Sequence, residues 1–541
     1  SIYGFRGANI DNILKFTTQY PTAKVIKLER NYRSTQTIVN AANCIIRGNV
    51  HQIEKTIYSE NEVGEKLRVF ETQSDKDEAE KVAGEIRRLV RREGTDYEDI
   101  ALLYRTNAQS RVFEETFRHH AIPYRIWGGL SFYQRKEIKD VIAYLRMLAN
   151  PHDEEAFKRI INTPARGIGN TTLSKIMMAA AEHGVSPWEV LCSTETYGLS
   201  LGKSVLTRLD GFKYLIVSGM EMAATESAYE VARHMVKASG IWADISVDNS
   251  PENLSRRENV EELLNSIKSY EEDVLETEGR KLVPLTEFLS QVALLTDADE
   301  RDDGTPKVTL MTVHGAKGLE FDTVFVTGLE EDLFPNEQAR VFPREMEEER
   351  RLFYVAVTRA EHRCYLSFAK SRFRYGKLEF ANESCFIREI DDRYLQRDAN
   401  PYRQWGGIAR RSSDDDFFMR RDDRKSYNTS SSMSPATPRP SVSRVPSRTN
   451  VSAPSSSAGA NVRSAGTWRK VTPSASATSA PQSLSVGGGT LKVGSCIAHE
   501  RFGRGRVLSL DGSGESAKAC VEFENVGTKT LLLKFARFRV L

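Results

Sequence analysis

Two arginines and one glycine-punctuated loop carry the most legible chemistry in this 541-residue chain. Arg359 closes the run EEERRLFYVAVTRA (347–360). Its acidic residues occupy a first turn, where the helix dipole favours them. Leu352, Tyr354, Val355 and Val357 make the helix apolar over much of its surface, so it is expected to be largely buried, with Arg359 at its end. A guanidinium is almost never fully buried unpaired. Arg359 therefore needs an anion, either a carboxylate or a nucleotide phosphate. Arg33 lies in LERNYRS (28–34), between an expected strand and an expected helix. Strand-to-helix junctions at the carboxyl edge of a sheet are where ligands sit in α/β folds, and the guanidinium fork matches a phosphate. A solvated surface arginine is the alternative. In TLMTVHGAKGLEFD (309–322) one buried strand ends and a second begins. Between them, Gly315 and Gly318 allow a ligand to approach the backbone. Thr312, His314 and Lys317 supply donors for nucleic-acid phosphates, and Glu320 can accept from a ribose hydroxyl. A plain strand connection bearing surface charges is the competing reading.

A phosphate-binding loop is the obvious companion to such residues. The one candidate, GLSLGKS (198–204), has three residues between its glycines where that loop needs four. It also falls in a helical region and follows no buried strand, so it is expected to be an ordinary connection between helices.

The elements that must position these residues follow from hydrophobic period. Strand-like stretches (24–28, 67–70, 100–104) alternate with helical ones (35–46, 77–91), which signals a parallel α/β sheet. From about 132 to 295 amphipathic helices dominate, at 138–148, 154–161, 172–182, 226–238 and 254–272. Strands return at 307–313 and 323–327, then a helix at 345–358 and a strand at 362–368. The simplest architecture is one α/β domain split by a helical insertion. From about 410 to 489 Ser, Pro, Thr and Ala replace large apolar residues, which predicts a disordered linker. Short β-rich runs at 495–499, 505–510, 519–523, 528–535 and 538–541 then predict a small antiparallel barrel.

Composition bounds the rest. Apolar content of 40% and charged content of 28% suit a globular protein of several domains, and no run approaches the ~18 apolar residues of a membrane span. Net charge is only +2, so nucleic-acid binding would rest on local basic grooves and stacking. Cys44, Cys192, Cys364, Cys385, Cys496 and Cys520 form no CxxC pair and no Cys/His cluster. They read as buried free thiols of a cytoplasmic protein, with no structural metal site.

In this order the stretches resemble the signature motifs of superfamily-one DNA helicases of the UvrD/PcrA/Rep type. SIYGFRGA (1–8) is similar to the third motif, LERNYRS to the fourth, TLMTVHGAKGLEFD to the fifth and EEERRLFYVAVTRAEHR (347–363) to the sixth. LLYRTNAQSR (102–111) and GGLSFYQRKEIKDVIAYLR (128–146) resemble two additional motifs, and NTPARGIG (162–169) a duplex-contacting turn. The resemblance runs to about residue 391. It implies the end of a RecA-like domain 1A at 1–20 and a RecA-like parallel-sheet domain 2A at 21–127 and 298–395. A helical 2B insertion at 128–297 splits 2A; a Ser/Pro-rich linker (396–489) and a Tudor/SH3-like barrel (490–541) follow.

The resemblance also assigns roles. Arg33 and Arg359 would be arginine fingers reaching the γ-phosphate, with Gly318 and Glu320 also at the ATP and Glu320 on its ribose. Phe5 would stack on a DNA base, in place of the Trp of many relatives, and Arg6 would couple that contact to the nucleotide. Tyr3 is a further candidate for that DNA contact; Arg105, Thr106, Asn107, Thr312, His314 and Lys317 would line the single-strand groove, and Gly167 and Gly169 would offer backbone N–H groups to duplex phosphate. The implied reaction is ATP-dependent 3′–5′ unwinding at single-strand/duplex junctions in DNA repair or replication, with ATP and Mg2+. In the family an Asp-Glu pair and a P-loop precede SIYGFRGA, and neither lies in these residues. The expectation is a C-terminal portion of such a helicase, inactive by itself, with most Mg2+ ligands upstream. GSCIAHERFGRGRV (494–507) resembles the Tudor-like ending of many relatives, which implies contact with RNA polymerase; its arginines, Arg501, Arg504 and Arg506, could equally touch nucleic acid. The alternatives are a non-catalytic DNA-binding or RNA-polymerase-docking remnant, and a helicase subunit of a nuclease complex.

Overall fold

The computed structural model describes residues 2–4, 7–296, 304–397, 483–486, 489–499, 502–511, 517–523, 527–533, 536 and 538–541. Eight strands form its main sheet: β1 (Leu67–Ser74), β2 (Ile100–Tyr104), β3 (Tyr124–Ile126), β4 (Val308–Thr312), β5 (Phe321–Val326), β6 (Ala360–Arg374), β7 (Lys377–Phe380) and β8 (Leu395–Arg397). Their order is β8-β1-β6-β5-β2-β4-β3, with β7 turned back antiparallel on β6. Every other pairing is parallel.

Strand β2 shows why this sheet is covered on both faces. All five of its residues are buried, as in a strand walled by helices on either side. Side chains alternate across a strand. Ala101 and Leu103 join a cluster with α1 (Gln36–Ile46) and α11 (Pro343–Val357). Ile100, Leu102 and Tyr104 join the opposite cluster, with α2 (Asp75–Arg88) and α3 (Ser110–His119). Helix α2 starts on a capping box in which Ser74 accepts from the Asp77 N–H and Asp77 accepts from the Ser74 N–H.

The insertion leaves the sheet after β3 and returns at β4, its hydrogen-bonded neighbour. Its main helices are α4 (Lys136–Ala149), α5 (Glu154–Ile160), α6 (Asn170–His183), α7 (Lys203–Ala223), α8 (Ala228–Ala238), α9 (Pro251–Glu278) and α10 (Leu285–Thr296), around a core of their own. The 28-residue α9 has clear stop and start signals. Ser250 accepts from the Asn253 N–H, Pro251 opens the first turn, and Gly279 closes it at φ 73°. This helix joins the insertion to the sheet domain. Arg111 Nε donates to Glu262 (2.7 Å), Arg135 Nη1 to Asn259 Oδ1 (2.8 Å) and the Gly376 N–H to Asn265 Oδ1 (3.1 Å), and Lys76 pairs with Asp273.

The terminal sheet has β9 (Cys496–His499), β10 (Gly503–Asp511), β11 (Lys518–Phe523), β12 (Gly527–Leu532) and β13 (Phe538–Val540), all antiparallel in the order β12-β11-β10-β9-β13.

Several expectations need correcting. Residues 24–28 form no strand; only Arg30–Asn31 pairs, with Tyr58–Ser59, and Val25, Ile26 and Leu28 are exposed. Apolar β-branched residues mark a strand only where a neighbouring strand accepts their backbone. Helix α7, 21 residues long, is absent from the sequence reading: its buried positions Leu209, Phe212, Ile216 and Gly219 keep a helical spacing, but exposed apolar residues such as Tyr214 and Val217 blur it. GLSLGKS is the connection into that helix, as expected. Of the cysteines only Cys364 is buried; Cys496 is exposed and the others are half-buried, all with free thiols. The Ser/Pro-rich stretch lies outside the described residues except at its ends. There Leu395–Arg397 pairs with β1, and Ser483–Val486 pairs with Gly489–Lys492. Among the described residues no helix is long and apolar enough to cross a membrane.

Candidate functional site

Arg33 and Arg359 meet, although most of the chain separates them. The Asn31 side chain accepts from the N–H groups of both Arg33 and Ser34, each at 2.8 Å, and so fixes the turn that presents Arg33. Ser34 Oγ donates to the Ala360 carbonyl at 2.7 Å, and the Thr35 N–H to the Glu361 carbonyl at 3.0 Å. These bonds pin the Arg33 segment beside the end of α11. Thr358 then serves both arginines. Arg33 Nη1 donates to its carbonyl (3.2 Å), and Arg359 Nη2 lies 3.4 Å from its Oγ1. The Thr358 hydroxyl in turn donates to Tyr354 O at 2.9 Å.

The two guanidiniums differ in their anions. Arg33 Nε donates to Glu320 at 2.5 Å. Arg359 donates to the carbonyls of Val355 (3.0 Å) and Leu319 (2.9 Å), and among the described residues no carboxylate pairs with it. Burial, reinforced by the positive charge of Arg33, pulls its pKa down to about 10. The carboxylate partner that would have made Arg359 a purely structural residue is thus not among the described residues. Asn31, Tyr32, Arg33, Glu320 and Glu361 line a cavity of about 490 Å³ beside this pair.

This site lies where β5 and β6 begin, since Glu320 precedes Phe321 and Arg359 precedes Ala360, and those two strand residues are in register. It is therefore at the amino edge of the strands, not the carboxyl edge expected from the strand-to-helix argument. That argument depended on a strand at 24–28, which does not form.

The expected nucleic-acid residues gather at the carboxyl edge. Tyr104 and Thr312, in register, end β2 and β4, and 105–107 and 313–318 follow them. Tyr3 joins from the other end of the chain. Its hydroxyl donates to the His314 carbonyl (3.4 Å), its ring lies 6.2 Å from that of His314, and Lys317 Nζ sits 4.7 Å above it. Lys317 and Asn107 are exposed, and Thr106 caps a short turn with Gln109. Gly318 adopts φ 92°, a conformation that favours glycine. Arg105 differs from the others: its guanidinium forms a fork with Glu349, at 2.9 and 2.7 Å, so its charge is already neutralised. Phe5 and Arg6 lie outside the described residues.

In the insertion, Asn162 Oδ1 accepts from the N–H groups of Arg166 (2.8 Å) and Ile168 (3.1 Å), which folds 162–169 into a tight turn. Gly167 has φ 71°, and its carbonyl accepts from Arg208 at 2.8 Å. Gly169 caps the 14-residue α6. The turn belongs to the helical insertion, outside the sheet whose edge carries the arginine pair. Among the described residues no group of three or more His, Cys, Asp or Glu could hold a metal ion.

Sequence reasoning missed Thr358, whose signal was its place directly before Arg359. It also missed Glu349 as the partner of Arg105, and Arg135, whose buried guanidinium bonds to Asn259 Oδ1, Ser110 Oγ (2.8 Å) and the Asn107 carbonyl (3.0 Å). All three sit in stretches singled out above, but a partner so distant in sequence leaves no local pattern.

A parallel sheet split by a helical insertion, with arginines at one edge and an aromatic and cationic cluster at the other, defines a RecA-like helicase lobe, here followed by a small Tudor/SH3-like barrel. The chain belongs to the family of UvrD-like helicase C-terminal domains, which matches residues 26–371, and the PcrA/UvrD tudor domain matches residues 493–538. It is 36% identical over 545 residues to the ATP-dependent DNA helicase PcrA of Bacillus subtilis (strain 168), covering 99% of this chain and 65% of that protein. To the ATP-dependent DNA helicase PcrA of Staphylococcus aureus (strain NCTC 8325 / PS 47) it is 42% identical over 407 residues, 75% of this chain and 54% of that protein. The chain thus spans between about half and two thirds of the length of these curated relatives.

Proposed function

We propose that this chain is the second motor lobe of an ATP-dependent 3′–5′ DNA helicase or translocase of DNA repair or replication. In this reading Arg33 and Arg359 act on the γ-phosphate of an ATP held by a separate P-loop lobe. The observation that carries it is the convergence of both guanidiniums on Thr358, with Arg359 lacking a carboxylate among the described residues. Charge developing on the transferred phosphoryl oxygens would supply the missing anion in the transition state, the contribution that arginine fingers make elsewhere, ~10³–10⁵ in rate. Glu320, which holds Arg33, is proposed to exchange that contact for the ribose, and Gly318 leaves room for the nucleotide. Mg2+ would arrive bound to the phosphates, and no ligand from this chain is assigned to it.

Tyr3, Phe5 and Arg6, with Thr106, Asn107, Thr312, His314 and Lys317, are proposed to hold single-stranded DNA by stacking and phosphate contacts. Arg105 is proposed to shape that groove through Glu349. Gly167 and Gly169 would meet duplex phosphate at the junction. Contact of the barrel with RNA polymerase is proposed on the family match alone.

The experiment joins the chain to the P-loop lobe of a relative and compares Arg33→Ala and Arg359→Ala with the parent. DNA-stimulated kcat should fall at least ~10³-fold, with the Kd for single-stranded DNA changed less than threefold. Loss of DNA binding on the same scale as kcat would refute the finger role.

A further inference from the structure

Strand β12 sits at the edge of the terminal sheet, and the C-terminal turns of α9 lie against it. A Cβ placed on Gly279, just past that helix, would lie 3.1 Å from Leu532 Cδ2. His499, 3% exposed, stands 3.9 Å from Glu276 Oε1, also buried. The His499 ring stacks on Phe502 at 4.7 Å and meets Phe523 edge-on at 5.9 Å. On its other side the barrel reaches the sheet domain, where a Cβ on Gly503 would lie 3.3 Å from Gln73 Cγ. Gln73 belongs to β1, and Lys76, three residues on, pairs with Asp273 of α9. The barrel therefore touches both sides of the joint between the sheet domain and the helical insertion.

Electrostatics give this contact a second basis. The last turns of α9 carry Glu271, Glu272, Asp273, Glu276 and Glu278, with no basic residue in the final turn. Carboxylates at a helix C-terminus oppose its dipole; Lys268 pairs with Glu271 and Glu272, Lys76 with Asp273 and Arg280 with Glu278, and Glu276 faces His499 of the barrel. The described residues of the barrel carry Lys492, Arg504, Arg506, Lys518, Lys529 and Arg539 against two acidic ones, Asp511 and Glu522. The acidic helix end thus covers the open edge strand of a net-basic barrel.

We propose that the barrel is a clamp acting in cis, which seats on the end of α9 and on Gln73 and fixes the angle of the helical insertion on the sheet domain. A partner that takes the same face of the barrel would release the insertion. The clamp requires no nucleotide, so its test is independent of the proposed motor role.

Amide hydrogen exchange on the full chain tests it, comparing the parent with Leu532→Glu and with Gly279→Asn, a residue that tolerates positive φ. In both variants amides of Leu275–Gly279 should exchange at least tenfold faster, while those of β9 and β11 keep the parent rate. If Leu532→Glu unfolds the barrel, faster exchange throughout β9 and β11 will show it, and Gly279→Asn, on the helix side, then decides. Unchanged exchange at 275–279 in Gly279→Asn would overturn the clamp. Protection in the parent that disappears on tenfold dilution would also overturn it, by placing the contact between two copies.

Discussion

Replacing Arg359 with Met should stabilise the sheet domain in the absence of nucleotide. The guanidinium sits against Arg33 and is satisfied only by neutral acceptors, the Val355 and Leu319 carbonyls and the Thr358 hydroxyl. Its pKa, pulled down to about 10, lies more than two pH units below the ordinary guanidinium range. At ~1.4 kcal/mol per unit, holding the cation there costs ~3 kcal/mol before screening. Arg359 is half-buried, so solvent removes a good part of that cost, and the variant gives up three hydrogen bonds. A net gain of ~1 kcal/mol remains for an apolar side chain of similar length. Amide exchange at Leu102–Tyr104, in the buried β2, reports this domain alone and should slow about fivefold. The sign of the pH dependence follows from the lowered pKa. Below about pH 10 the folded parent carries the full penalty, and as pH rises through 10 it sheds the proton and the variant's advantage shrinks. Tripolyphosphate should slow exchange in the parent and not in the variant. Equal or faster exchange in Arg359→Met at pH 7 would refute the reasoning and make this arginine a structural brace.

Three further outcomes are expected. Lys317→Ala should weaken single-stranded DNA binding and reduce the slope of log K against log salt by ~0.7, as for one lost phosphate contact, measured by fluorescence anisotropy. Glu349→Gln leaves the Arg105 guanidinium half-buried beside a neutral amide and should destabilise the sheet domain by ~3 kcal/mol in urea unfolding; a change below ~1 kcal/mol would mean that Arg105 is free to serve DNA instead. The 541-residue chain alone should show no DNA-stimulated ATP turnover, since none of its loops has phosphate-binding spacing; activity above background in a purified sample would contradict that.

How legible the molecule was in its sequence depended on the range of the forces involved. Strand β2 was read to the residue because its five apolar positions need only two flanking helices to bury them. Helices α2 and α9 were visible through local period, though the caps that fix their starts, Ser74 and Ser250, were not read. The two arginines could be singled out because a guanidinium at the end of an apolar helix, or at a turn before one, is anomalous within a few residues. Their meeting at Thr358 was not readable from spacing: it depends on Ser34 bonding to Ala360 across the fold. Arg105 shows the same limit in reverse, since the family resemblance implied a place in the DNA groove and its partner in the fold, Glu349, comes from a helix far along the chain. The false strand at 24–28 failed because composition records a preference for extended backbone but not whether a neighbour is there to pair with it.

The strand order also constrains when the sheet can assemble. None of β1, β2 and β3 neighbours another of the three; β2 waits for β4 and β5, β3 for β4, and β1 for β6 and β8. On a ribosome, these three segments emerge without a mate and stay so while residues 127–307 are made, on the order of 10 s or more at bacterial speeds. The helical insertion, with its own core, can condense during that interval. The sheet therefore cannot close until the insertion has been made, and its early strands are the ones a chaperone would have to shield in the meantime.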